Sequence, residues 1–225
     1  MRIPAWLAFF VFLFPLAVLP LLFGEFVLHG LSKLHLSPEV ALLVLFGMIA
    51  TGFINIPVRR IKREEGVPHH PLAVFGLSHV WPHLQRIRQE TIVAVNVGGC
   101  LIPVALAAYE IWHLSTLGPQ AVGAATVAVT ANAIVSYLIA RPVPSVGIAM
   151  PGLVAPVVAA GVALFIAPDY APPVAFVSGV IGPLVGADLL HSRDIDEIEV
   201  GVISIGGAGT FDGIVLSGII AAYLS

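Results

Sequence analysis

Two aspartates stand out among the residues of this chain that could do chemistry. Asp188 lies in Gly186-Ala187-Asp188-Leu189-Leu190, and Asp212 closes the run Ser204-Ile205-Gly206-Gly207-Ala208-Gly209-Thr210-Phe211-Asp212. Both fall within long apolar stretches, where an ionisable group is costly and needs an explanation. The other eleven of the thirteen acids fall in loops or at the edges of apolar stretches: Glu25, Glu39, Glu64, Glu65, Glu90, Glu110, Asp169, Asp194, Asp196, Glu197 and Glu199. Two carboxylates held close together cannot both ionise easily and tend to share one proton. One can then activate a water as general base while the other protonates the departing group. This is the chemistry of aspartyl proteolysis. Gly207, Gly209, Thr210 and Gly213 would shape such a site and let an extended substrate backbone approach. The alternating segment 197–204 offers an edge to which a substrate strand could add.

The elements that must position these residues are set by composition. Of 225 residues 58% are hydrophobic and 10% charged, against about a quarter charged in a soluble domain. So little charge cannot cover a globule in water, and lipid is the solvent that suits the chain. About 20 apolar residues cross a bilayer. The sequence supplies seven such stretches, near 4–24, 39–58, 91–113, 121–140, 147–167, 172–190 and 201–224. The expected fold is an all-α membrane protein of about seven transmembrane helices. Residues 1–58 form the first two spans, 59–90 a basic interfacial loop, and 91–225 a five-helix core carrying both aspartates. The first apolar run is read as a retained span, being too long for a signal-peptide core and followed by bulky residues.

Basic residues orient the spans. With a cytoplasmic N-terminus, Arg2, Arg59, Arg60, Lys62, Arg63, Arg86, Arg88, Arg141 and Arg193 share one side, and Lys33 alone takes the other. The expected location is the cell inner membrane, with Ser225 outside and membrane lipids as partners. Arg59 to Glu65, followed by the apolar segment 71–84, suits a surface-lying element. The net charge of −3 and the confinement of the basic residues argue against a nucleic-acid partner. Nothing in the sequence sets the oligomeric state.

The level of Asp212 depends on how the seventh stretch folds. Glu197 to Ser204 is alternating and β-branched, whereas Gly206-Gly207-Ala208-Gly209 is a poor helix segment. The expected structure is a short extended piece, a glycine turn, and a helix of about 15 residues starting near Thr210, roughly 22 Å long. Asp212 would then sit in its first turn, level with Asp188. Simpler readings stand beside this one. Asp212 complements a helix N-terminus capped by Thr210, and Asp188 pairs with Arg193 or His191. Gly182/Gly186 and Gly209/Gly213 are also small-residue packing pairs.

Other constellations are weaker. His69, His70, His79 and His83 cluster in the long loop, but Pro82 interrupts the spacing and no thiol or carboxylate completes a ligand set. No metal or cofactor is expected, and Cys100 alone makes no disulfide. Ser145 and His113 have no evident catalytic partners. Pro142, Pro144, Pro151 and Pro156, with Asn55, Asn96 and Asn132 in or near spans, keep a proton- or cation-coupled transporter open as an alternative. A non-catalytic scaffold or chaperone is the third reading.

The residues Arg141 to Ile148, Gly186 to Leu190 and Ser204 to Gly213 resemble an uncharacterised family of bacterial and archaeal polytopic membrane proteins. The likeness begins near Asn96-Val97-Gly98-Gly99 and implies no activity. A more distant resemblance is to the presenilin-type intramembrane aspartyl proteases, which carry one Asp on a sixth span and one on a seventh behind a glycine motif. That likeness implies Asp188 and Asp212 as catalytic residues and a single-span membrane protein or peptide as substrate. This chain has Ala187-Asp188 where those proteins have Tyr-Asp, and Gly209-Thr210-Phe211-Asp212 in place of Gly-x-Gly-Asp. It also lacks their Pro-Ala-Leu tripeptide.

Overall fold

A computed structural model describes residues 21–62, 90–143, 147–192, 194, 202–207 and 213–225. The protein is mostly helical. Helix α1 covers Leu21–Ser32 and α2 Pro38–Thr51, which starts where the Ser37 hydroxyl accepts from the backbone N–H of Val40. Helix α3 covers Ile102–Leu117 and α4 Pro119–Ile139. The sharp break between them falls at Gly118, whose φ of 122° suits glycine, and Pro119 then opens α4. Helices α5 (Val154–Ile166), α6 (Ala171–Pro183) and α7 (Gly213–Leu224) follow. Among the described residues, three helical segments are long and apolar enough to cross a membrane: Val97–Leu117, Pro119–Ile139 and Pro168–Leu189. The other four are apolar but shorter.

Side-chain contacts fix the helix directions. Asn132 and Ser178 meet, as do Ser136 and Gly186, so α4 and α6 run parallel. Gly179 abuts Ser217 and Gly218, while Ala221 clusters with Ala171 and Val174, so α7 runs antiparallel to α6. The bundle therefore has two distinct ends. At one end lies a three-stranded sheet in the order β1-β2-β5. Strand β1 (Asn55–Lys62) pairs antiparallel with β2 (Glu90–Asn96), and β5 (Val202–Ile205) pairs parallel with β2. A short hairpin, β3 (Arg141–Val143) and β4 (Gly147–Ala149), places Ile148 against Val93 and Ile203 of the sheet. Arg59, Arg60 and Arg141 belong to this end. Lys33 lies at the far end, where it meets Tyr223 near the close of α7.

Several expected boundaries shift. The second apolar stretch is helical only to Thr51, and from Asn55 it is strand. Gly52 ends the helix, and Pro57 within Asn-Ile-Pro-Val could not continue it. The third stretch opens as strand through the β-branched run Thr91 to Val95. The expected divisions at 58/59 and 90/91 thus cut through paired strands. The third helix also runs past 113 to Leu117, with the hydroxyls of Ser115 and Thr116 donating back to the carbonyls of Trp112 and His113. Glu110 is consequently inside a helix and not at its edge. Ahead of the last helix, Val202–Ile205 is extended and the chain turns at Gly206, φ 71°; residues 197–201 and 208–209 of the expected extended piece and glycine turn lie outside the described residues. The described helix runs from Gly213; the expected start at Thr210 lies outside the described residues.

Sheet and helices are joined at one polar node. Asn96 is fully buried between β2 and a π-helical turn, Val97–Leu117's first five residues. Its side-chain oxygen accepts from Gly99 N (2.7 Å), and its amide donates to Gly52 O (2.7 Å) and Asn55 Oδ1 (3.1 Å). A Cβ on Gly98 would collide with the Met48 carbonyl, and one on Gly99 with the Gly206 carbonyl. Asn96→Ala is expected to cost about 3 kcal/mol, roughly 1 kcal/mol for each of three buried hydrogen bonds, measured by denaturant unfolding in micelles. Gly99→Ala should destabilise at least as much. In contrast, Gly123→Ala, where a Cβ meets nothing within 4 Å, should gain about 0.5–1 kcal/mol from helix propensity.

Candidate functional site

Asp188 stands at the sheet end of α6, where the helix changes character. Pro183 lies inside the helix and cannot donate its backbone hydrogen bond. From Leu184 to Leu189 the turn widens to a π-helix, closed by Leu190 N donating to Val185 O at 3.0 Å. Such widened turns occur often at functional sites, because they turn side chains and carbonyls out of the regular ladder. Asp188 is half-buried in this segment. Just beyond it, the buried His191 sets Nδ1 3.1 Å from the carbonyl oxygens of both Gly186 and Ala187. A nitrogen facing two acceptors carries the proton, so the ring caps the widened turn, and it also packs against Tyr137 (4.8 Å between centroids).

Glycines let the supporting helices approach closely. A Cβ on Gly179 would meet Ser217 O at 2.7 Å and Gly218 Cα at 2.9 Å. Gly182 faces the Asn132 side chain, and Gly186 faces the Ala133 carbonyl and Ser136. Asp188 is nine residues beyond Gly179, and α7 begins five residues before Gly218. At 1.5 Å per residue these offsets are about 14 and 8 Å. Asp188 and the start of α7 therefore share one end of the bundle, about 6 Å apart along its axis.

Among the expected site residues, Asp188, Gly207 and Gly213 are described, whereas Gly209, Thr210 and Asp212 lie outside the described residues, as does the histidine cluster 69–83. Gly207 belongs to the turn after β5: its N–H donates to Ser204 O at 3.1 Å, and a Cβ there would collide with the Ser204 hydroxyl. That hydroxyl donates in turn to Asn55 Oδ1, so the turn is tied to the Asn96 node. Gly213 opens α7, and a Cβ there would meet none of the described residues within 4 Å. Asn55 and Asn96, polar residues that fit a transport path in the sequence, hold this junction together.

The sequence reading missed two polar groupings. The first is Glu110, fully buried in α3. Its Oε1 accepts from His35 N (3.2 Å), and its Oε2 lies 3.0 Å from His35 Nδ1. His113, without a partner in the sequence reading, stacks on His35 at 3.6 Å. The available signal was an acid in an apolar run closed only by Gly118-Pro119. The second is a seam between α4 and α6. Asn132 donates to Ser178 O (2.9 Å) and Ser178 to Ala128 O (2.8 Å). Asn132 Oδ1, Ser136 Oγ and, on α7, Ser217 Oγ are buried with no hydrogen-bond partner among the described residues. No group of three His, Cys, Asp or Glu side chains among the described residues could hold a metal ion.

The sequence pattern described as Protein of unknown function (DUF1614) matches residues 49–224. The chain belongs to the DUF1614 family. No curated protein and no solved structure matches it. The DUF1614 match opens at the last turn of α2 and closes on the last residue of α7, so it takes in the Asn96 node, the widened turn at Asp188 and the glycine turn before α7. Residues 1–48, which include α1 and most of α2, precede it.

A buried hydroxyl without a partner costs about 1–3 kcal/mol. Ser136→Ala and Ser217→Ala are therefore expected to raise the unfolding midpoint or leave it unchanged. A marked fall would show that these hydroxyls are bonded in the folded protein.

Proposed function

We propose that the chain is an intramembrane aspartyl protease-like protein that cleaves membrane-embedded peptides through Asp188 and Asp212. The observation that carries this reading is the α6–α7 pairing, in which Asp188 and the start of α7, one residue after Asp212, share one end of the bundle. In the proposed dyad one carboxylate takes a proton from a water attacking the scissile carbonyl, and the other gives a proton to the departing amine. Gly207, Gly209, Thr210 and Gly213 would leave room for an extended substrate backbone. Strand β5, which ends at the glycine turn, is an edge of the described sheet and supports docking of a substrate strand beside it.

On this reading the chain crosses the inner membrane seven times. The arginine-bearing sheet end faces the cytoplasm with the N-terminus, and the C-terminus lies outside. Arg59, Arg60 and Arg141 at one end against Lys33 at the other favour that orientation. The four shorter helices would cross with the help of the strands and turns that extend them.

A proton- or cation-coupled transporter is the second reading, favoured by the polar seam of Asn132, Ser136 and Ser178 beside the widened turn. Polar groups inside spans commonly mark ion paths.

The deciding experiment is cleavage of a panel of single-span substrates by purified protein. Wild type should cleave, and Asp188→Asn and Asp212→Asn should each lower the rate by at least about a hundredfold while unfolding at the wild-type midpoint. Absence of cleavage by wild type overturns the protease reading. Proton flux into liposomes, lost in the same variants, would then support the transporter.

A further inference from the structure

We infer that the α4–α6 seam binds a monovalent metal cation of the sodium class, held by Asn132 and Ser136 against the glycine face of α6. This site goes beyond the proposed dyad and does not rest on the protease reading. Asn132 and Ser136 are fully buried and four residues apart on α4, so they share one face. The Asn132 side chain comes within 2.8 Å of where a Gly182 Cβ would stand, and Ser136 Cβ within 2.9 Å of that of Gly186. Asn132 Nδ2 is committed to Ser178 O, and the Ser178 hydroxyl to Ala128 O. Asn132 Oδ1 and Ser136 Oγ remain, buried and without a hydrogen-bond partner among the described residues.

Hydroxyls elsewhere on the same helix find partners. Thr126 and Thr130, both exposed, donate back to the carbonyls of Val122 (2.9 Å) and Thr126 (2.8 Å), as helical hydroxyls commonly do. Ser136 makes no such bond, although it is the one kept from water. Two polar oxygens left idle in the interior are costly, and a ligand that takes a lone pair from each removes that cost. The Ala133 carbonyl, turned to Gly186, adds a third oxygen to the same face.

The donors set the class of ligand. Amide, hydroxyl and carbonyl oxygens are hard ligands that suit alkali and alkaline-earth cations. Divalent members of that group rely on carboxylates, and these three oxygens are all uncharged, so a single charge fits. The local field has the right sign. Helices α4 and α6 run parallel, and neither has a basic residue in its last turn, nor has the π-helical turn after α6. Two negative helix ends thus meet at one end of the bundle, and Asp188 follows Gly186 by two residues, about 3 Å along the axis. Two groups of opposite effect lie at this end. Arg141 opens β3 and is exposed, while His191 spends Nδ1 on the carbonyls of Gly186 and Ala187.

Binding of radioactive sodium to the purified full chain in micelles, with choline as the replacement ion, tests the site. Wild type should bind sodium saturably, and magnesium should not displace it. Ser136→Ala and Asn132→Ala should each weaken binding by at least about tenfold. Ser217→Ala, which removes an unpartnered hydroxyl on α7, should bind as wild type does. Ser136→Ala leaves the Asn132–Ser178 bond in place and carries the test where Asn132→Ala does not fold. In choline its unfolding midpoint should match or exceed that of wild type; sodium should raise the wild-type midpoint and not that of Ser136→Ala. No saturable binding by wild type, unchanged binding in Ser136→Ala, or displacement by magnesium would overturn the inference. A wild-type midpoint that ignores sodium, with a fall for Ser136→Ala in choline, would assign the seam to bound water and overturn it too. Peptide cleavage is read separately, so failure here leaves the protease reading standing.

Discussion

The Asn96 node is the contact on which the rest of this structure depends. A chain this apolar gains little by choosing one helix neighbour over another, because most of its helix faces are alike in polarity. Specificity has to come from polar groups that fit only one partner and from backbones that pack only where a Cβ is missing. Asn96 provides the first by spending both sides of its amide on Gly99, Gly52 and Asn55. Gly98 and Gly99 provide the second by admitting the carbonyls of Met48 and Gly206. One residue stretch thereby fastens the end of α2, the start of α3, the sheet, and the turn that leads to α7.

The same logic repeats at the α6 interface. Gly179, Gly182 and Gly186 recur along α6 with spacings of three and four, so they face one stretch of helix surface. The last of them reaches Ser136 where Pro183 has already loosened the helix. Close packing thus ends in a widened turn, and Asp188 stands in it. The His191 ring caps that turn, so Asp188 stands at a fixed, widened end of the helix and not in its regular ladder.

Charge is distributed unevenly between the two ends. Among the described residues, arginines gather with the strands, while His35, His113, the buried Glu110 and Lys33 occupy the far end. Glu110 is tolerated because His35 supplies donors from both backbone and ring. That arrangement ties the α1–α2 turn to α3, and Lys33 ties it to the close of α7. The far end is therefore held by polar contacts much as the sheet end is held by Asn96.

Much of the helical framework was legible in sequence, since apolar runs, Pro at helix starts and Gly at breaks act locally. The strand Val202–Ile205 and the helix before Ser225 could be read from β-branching and apolar content alone, and DUF1614 membership agrees with the resemblance to an uncharacterised family. The strand at Asn55–Lys62 was not legible, because an apolar run of mixed residues takes its form from the partner it pairs with, here β2. Of the candidate site, the sequence singled out Asp188, but the π-helical turn around it depends on Pro183 meeting the packing of α4. Glu110 and His35 are seventy-five residues apart; no local pattern joins them. Local rules decided which segments are helices. Only tertiary contact decided which polar side chains face one another, because a buried polar group is defined by its partner and not by its neighbours in sequence.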